Sequence, residues 1–226
     1  MPDLVANTTD SYCNCAPQGT FETARDHAGS SAGDPTRTKD NYTMGSLYFS
    51  RRGFYIMYRS YYVFNCGGIS VAPASATLKI AGFQQSSANV IAVKSAADIE
   101  LHSSDYRDGL ADISSAVDTA LTNSAGDGSG SFASLGIAYM DSPTSSWSTT
   151  SYNEMAFNAT ALADMASLIA FKVCVMEYDH DFLDVENTTG VLVNGSYWAD
   201  EGLAKMPTLS YTEATTDNAT FFGANF

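Results

Sequence analysis

Between Gly53 and Phe64 the chain reads GFYIMYRSYYVF, apolar or aromatic at nearly every position and closed by Cys66-Gly67-Gly68. A short run of this composition, rich in Tyr and Phe and without a helix start signal, predicts a buried β-strand. From Ser75 to Phe83 the pattern changes to strict alternation, with Thr77, Lys79 and Ala81 set against Ala76, Leu78 and Ile80. Period two predicts a half-buried strand. Asn89 to Val93 predicts a third strand, with Gln84 to Ala88 as the turn before it, and Leu135–Tyr139, Tyr152–Phe157, Leu168–Glu177, Gly195–Asp200 and Pro207–Thr212 extend the series. Two stretches break it. Residues 105–122 repeat Leu110, Ile113, Val117 and Leu121 at helical spacing, and Thr160 to Ser167 predicts a short helix capped by Thr160. The polar stretches Asn123–Gly130 and Asp141–Ser151, the latter holding Trp147, read as loops.

Many short strands at roughly 10-residue spacing predict an all-β fold. The expected architecture is an antiparallel two-sheet sandwich, jelly-roll-like, with one or two short helices in crossover connections. Residues 45–214 are expected to form the sandwich. Residues 1–44 show little periodicity and include the turn-rich stretch Ala28 to Pro35, so they read as an N-terminal strand plus an extended loop or docking arm. Residues 215–226 read as a C-terminal tail. Phe21, Phe221 and Phe222 are the candidate partner-docking side chains of these terminal regions.

Composition sharpens the picture. The formal net charge is -14, which argues against nucleic acid and anionic membrane as partners, because phosphate repels such a surface. Only 16% of residues are charged, so solubility rests on 27 Ser and 21 Thr, placed on the outer faces of strands. Hydrophobic residues reach 45% and aromatic residues 12%, which excludes disorder of the highly charged kind. No stretch has the ~20 continuous apolar residues of a membrane span, and the polar start predicts no signal peptide. The charge is also uneven: residues 1–80 hold 7 basic and 6 acidic residues, leaving 4 against 19 in the remainder. The acid excess lies beyond residue 80. Six N-x-S/T triplets, at Asn7, Asn41, Asn158, Asn187, Asn194 and Asn218, are read as unmodified.

Candidate chemistry is sparse. The histidines are His27, His102 and His180, none beside a nucleophile elbow, and no phosphate-binding glycine loop occurs. Cys66 and Cys174 sit in apolar runs and read as core thiols, with a Cys66–Cys174 bridge as the alternative; Cys13 and Cys15 lack the spacing of a zinc site. The densest constellation is Asp179, Asp181, Asp184 and Glu186, which offers oxygens either to a hard cation such as Ca²⁺ or to solvent. No other cofactor is expected. Trp147, Tyr197 and Trp198 lie in or beside loops and are the candidate glycan contacts, against the alternative that the indoles pack on the sandwich edge. Tyr55, Tyr58, Tyr61 and Tyr62 read as core, and Arg59 among them as stacked on a ring or paired with a carboxylate.

Several of these stretches, taken in order, resemble the DNRLRE-type β-sandwich domain: Thr9-Asp10-Ser11-Tyr12, then Arg59 to Asn65 with Ile69 and Ala74 to Ile80, then Tyr197 to Glu201 with Pro207 to Tyr211. Asn65 stands where that family usually has Asp. The resemblance implies either a glycan-binding module or a structural protein of a tailed bacteriophage. The expected function is accordingly that of a non-enzymatic virion structural protein, a capsid decoration or fibre component located on the particle surface. Its partners would be capsid or tail proteins and further copies of itself, as in a trimer. The alternative is a carbohydrate-binding or receptor-binding module for a host-surface glycan.

Overall fold

The computed structural model describes residues 2–7, 10–14, 17–25, 31–32, 39–95, 132–202 and 204–215. Among these, eleven strands pair antiparallel: β1 (Asp3–Val5), β2 (Ser11–Asn14), β3 (Ser31–Ala32), β4 (Lys39–Phe49), β5 (Phe54–Asn65), β6 (Ser75–Ser86), β7 (Val90–Lys94), β8 (Tyr152–Ala156), β9 (Ala170–Glu177), β10 (Val191–Tyr197) and β11 (Thr208–Thr212). Two short helices accompany them, α1 (Phe21–Arg25) and α2 (Ala159–Ser167). The fold is all-β, as the alternation and strand spacing require.

The strands form one continuous hydrogen-bonded network, which bends because its two longest members change partners along their length. Strand β5 pairs with β4 over Phe54–Tyr58 and with β9 over Ser60–Asn65. Its other edge holds β2, with Tyr12 opposite Ser60. Strand β6 lies between β11 and β8 in its first half and meets β10 in its second. The switch falls at Gly82: Ala81 faces Tyr152 of β8, and Gly82 faces Ser196 of β10. There the backbone passes close to the loop before β8. A Cβ on Gly82 would lie 2.0 Å from the Ser148 carbonyl oxygen and 2.7 Å from Trp147 Nε1.

The bend closes the network on a single large core. Leu78 and Ile80 of β6, Met155 of β8 and Leu209 of β11 share one apolar cluster with Tyr61 to Phe64 of β5, Val90 to Val93 of β7 and Phe171 to Met176 of β9. Each such aliphatic or aromatic side chain contributes roughly 1.5–3 kcal/mol on burial, before the ordering entropy that opposes it.

Strand positions in the central part of the chain match the sequence pattern closely, and four expectations are corrected. The domain does not begin at residue 45. Strand β1 pairs with β11, β2 with β5, and α1 packs Phe21 and Ala24 against Tyr55 and Met57, so strands are present ahead of residue 45 as expected, and these described elements belong to the same fold. Leu135–Tyr139 is not a strand: a 3₁₀ turn (Phe132–Leu135) is followed by a lone bridge from Ala138 to Val93. The cap of α2 is Asn158, whose side chain accepts the Ala161 N–H, in place of Thr160. Strand β6 continues to Ser86, through the turn expected at Gln84, because β10 supplies a partner there. The helix expected over residues 105–122, the loop over 123–130 and the tail from residue 216 lie outside the described residues.

Candidate functional site

The site grows from the acidic segment that follows β9. Glu177 ends the strand and turns its side chain over the next residues, accepting the backbone N–H groups of Asp179 (2.9 Å), His180 (2.7 Å) and Asp181 (3.0 Å). A carboxylate in this position satisfies amides that a helical turn leaves without partners. It supports a single wide turn, Tyr178–Phe182, in which the Leu183 N–H reaches back to the Tyr178 carbonyl at 3.1 Å. The turn aims Asp181 into the protein.

There Asp181 meets Arg59. The guanidinium Nε donates to Oδ2 at 2.7 Å and Nη2 to Oδ1 at 2.6 Å, a two-point pairing that only Arg can make with a carboxylate. Arg25, from the end of α1, closes the cluster. Its Nε donates to the Asp181 carbonyl at 2.8 Å and its Nη1 lies 3.3 Å from Asp184 Oδ1, while Arg59 Nη2 donates to the Arg25 carbonyl at 2.7 Å. Phe132 lies against both cations, with its ring centroid 4.1 Å from Cζ of Arg25 and 5.4 Å from Cζ of Arg59. Arg59 thus both stacks on a ring and pairs with a carboxylate. The centre of the cluster is buried, with Arg25 1% exposed, Arg59 4% and Asp181 0%, and Asp184 lies partly exposed at its edge. Burial opposes the Arg59 charge, but the Asp181 carboxylate more than offsets this and holds the guanidinium pKa above its ordinary value.

The other carboxylates of the segment are equally committed. Asp179 accepts a hydrogen bond from Asn89 Nδ2 at 2.6 Å, Glu186 accepts one from the Tyr55 hydroxyl, and Asp184 faces Arg25. The hydrogen bond to Glu186, helped by burial, pushes the Tyr55 phenol up to about 12. The four oxygen donors considered for a cation therefore diverge toward separate protein partners. Among the described residues no group of three or more His, Cys, Asp or Glu side chains converges to hold a metal ion. Burial, partly offset by its three amide donors, pushes the Glu177 carboxyl up to about 7.

The candidate glycan residues do not form a platform. Trp147 and Trp198 are each 4% exposed. The Trp147 Nε1–H donates to the Gly195 carbonyl at 3.2 Å, and Trp198 stacks on Tyr12 at 5.9 Å and 13°. Tyr197 packs edge-on against Phe83, and the ammonium of Lys205 covers its face at 3.7 Å. Both indoles thus take the packing role, as an amphipathic ring at a sheet margin does. Phe21, expected to dock a partner, is buried edge-on against Tyr55. Phe221 and Phe222 lie outside the described residues.

Besides Asn158, which caps α2, two further N-x-S/T asparagines are structural. Asn187, fully buried, donates to the carbonyls of Ser46 (3.0 Å) and Gly190 (2.9 Å), and its Oδ1 accepts the Thr189 N–H at 3.0 Å. Asn194, equally buried, donates to the Ala88 carbonyl at 2.8 Å. Neither side chain can carry a glycan in this fold. Sequence reasoning missed Arg25 and the capping role of Glu177. The one available signal for Arg25 was its place at the end of the Phe21–Arg25 turn, where a cation complements helical carbonyls.

Compared with known protein families, with curated proteins and with solved structures, the chain matches none. The fold and the cluster define an antiparallel all-β domain whose interior charges act as braces.

Proposed function

We propose that this protein is a non-enzymatic structural subunit on the surface of a tailed-bacteriophage particle, a capsid decoration or fibre component whose partners are capsid or tail proteins and other copies of itself. The observation that carries this reading is the use made of the chemically capable side chains. Arg25, Arg59, Asp181 and Asp184 tie α1 to the sheet, Glu177 caps the turn that carries Asp181, and these polar atoms are turned toward protein partners, where a catalytic group must face a substrate. The likeness of Arg59–Asn65 and its neighbouring stretches to sandwich domains of phage structural proteins supplies the setting.

Quantitative mass spectrometry of purified particles tests the proposal. A copy number comparable to that of the major shell protein points to decoration and a low one to the tail; absence from purified particles overturns the reading.

A further inference from the structure

The hairpin between β4 and β5 ends in the sequence Phe49-Ser50-Arg51-Arg52-Gly53-Phe54. The Phe49 carbonyl accepts both the Arg52 N–H (3.0 Å) and the Gly53 N–H (2.8 Å), and Gly53 closes the loop at φ +59°, a left-handed conformation that glycine adopts without strain. The tip is therefore well formed. Phe49 and Phe54 stand opposite each other with ring centroids 4.7 Å apart, and Phe49 is 37% exposed. Leu47 and Ile56 occupy the same face two residues further in, and Val191 of β10, 42% exposed, pairs with Leu47. Arg51 and Arg52 are exposed, and neither has a carboxylate partner among the described residues.

A prong of two arginines without a described carboxylate partner, beside the exposed Phe49 and the half-buried Phe54, is unusual on a chain of net charge -14. Arginine and aromatic residues are the types enriched where protein surfaces meet, and an unpaired guanidinium there requires an acidic counterpart. Each copy of this chain carries exposed carboxylates on Asp141, Glu154 and Glu213, Glu154 lying 4.0 Å from Lys79, within a chain of 25 acidic against 11 basic residues. A polyanion is disfavoured as the occupant, because the molecule as a whole repels it at long range.

We propose that the β4–β5 tip docks on the acidic surface of a second copy of this chain, with Arg51 and Arg52 meeting its carboxylates and Phe49 and Phe54 supplying the apolar contact. The two surfaces differ, so the contact is head-to-tail and closes into a ring or continues as a row. This deepens the self-association named in the proposed function and rests on that reading.

Sedimentation equilibrium of the full chain over a concentration series tests it. The expected result is reversible self-association that weakens with added salt and that falls about tenfold or more in the Arg51→Glu, Arg52→Glu double variant. Because both side chains are exposed, the variant should keep the wild-type melting temperature, which circular dichroism checks; the single variant Phe49→Ser supplies a second, uncharged perturbation. A wild-type chain that stays monomeric, or a double variant that associates as tightly as wild type, overturns the proposal. So does a monomeric chain that binds heparin or phosphatidylserine vesicles through the same arginines. Presence in purified particles with a monomer in solution removes this inference alone, and self-association with absence from particles removes the phage reading alone.

Discussion

Arg59 and Asp181 lie 122 residues apart in sequence and form a two-point ion pair, 2.7 and 2.6 Å, at a place where Asp181 has no exposed surface. Such a pair is costly to break from one side, since the remaining charge stays buried without compensation. Asp181→Ala is expected to lower the unfolding free energy by about 3–5 kcal/mol, measured by urea titration. The double replacement Arg59→Met, Asp181→Leu is expected to cost less than the single one. The difference between them measures the penalty of the orphaned arginine apart from the pair's own worth.

Glu177 gives the protein an inverted acid dependence at one site. Its carboxyl is pushed up to about 7 in the fold, from an ordinary 4.5, so the native state holds this proton more tightly than the unfolded chain does. The associated stability is fully present below about pH 4.5 and is lost as the pH rises through about 7, a change on the order of 3 kcal/mol. The quantity to plot is therefore the difference in unfolding free energy between wild type and Glu177→Gln across pH 4 to 8, which should change steadily through this window and be flat outside it.

Cys66 is 1% exposed, and burial pushes its thiol up to about 12. Cys174 is also buried, and neither is in a disulfide. The ladder explains why they are not joined: Cys174 pairs with Tyr61, whereas Cys66 lies beyond Asn65, about 17 Å along the strands and outside the roughly 7 Å that a bridge can span. Native protein at pH 8 should leave both thiols unalkylated by iodoacetamide, and denatured protein should modify both, as read by peptide mapping. Rapid labelling of Cys66 in the native state would contradict its placement.

Gly82→Ala should be among the most damaging small substitutions in the chain. The added methyl would meet the Ser148 carbonyl at 2.0 Å, and backbone cannot move aside cheaply. A loss of about 3 kcal/mol or more, at the upper end of overpacking effects, is expected in thermal unfolding. Gly68→Ala, where nothing lies within 4 Å, is the neutral control.

The legible part of this fold is the part governed by local pattern. The apolar run at Phe54–Phe64 gives β5 almost to the residue, and alternation in Ser75–Phe83 gives β6 up to the last three residues, where β10 and not local pattern holds the strand. Strand β4 was harder to see, since its first residues, Lys39 to Thr43, are polar and are held by pairing with β10. The cluster around Asp181 was invisible for a related reason. Four acids in eight residues look like a cation loop until Arg59, Asn89, Tyr55 and Arg25 arrive from distant positions, one to each carboxylate. The indoles misled through their neighbours: polar loops surround Trp147, yet its ring turns inward under Gly195.

The pairing of Asp3 with Ser210 joins the first and the last of the described strands. During synthesis β1 leaves the ribosome some two hundred residues before its partner exists, and β11 in turn covers the open edge of β6. Until β11 is made the nascent chain thus carries unpaired strand edges, the condition under which sheet proteins aggregate or wait for chaperones. Closure of the described sheet therefore waits on β11.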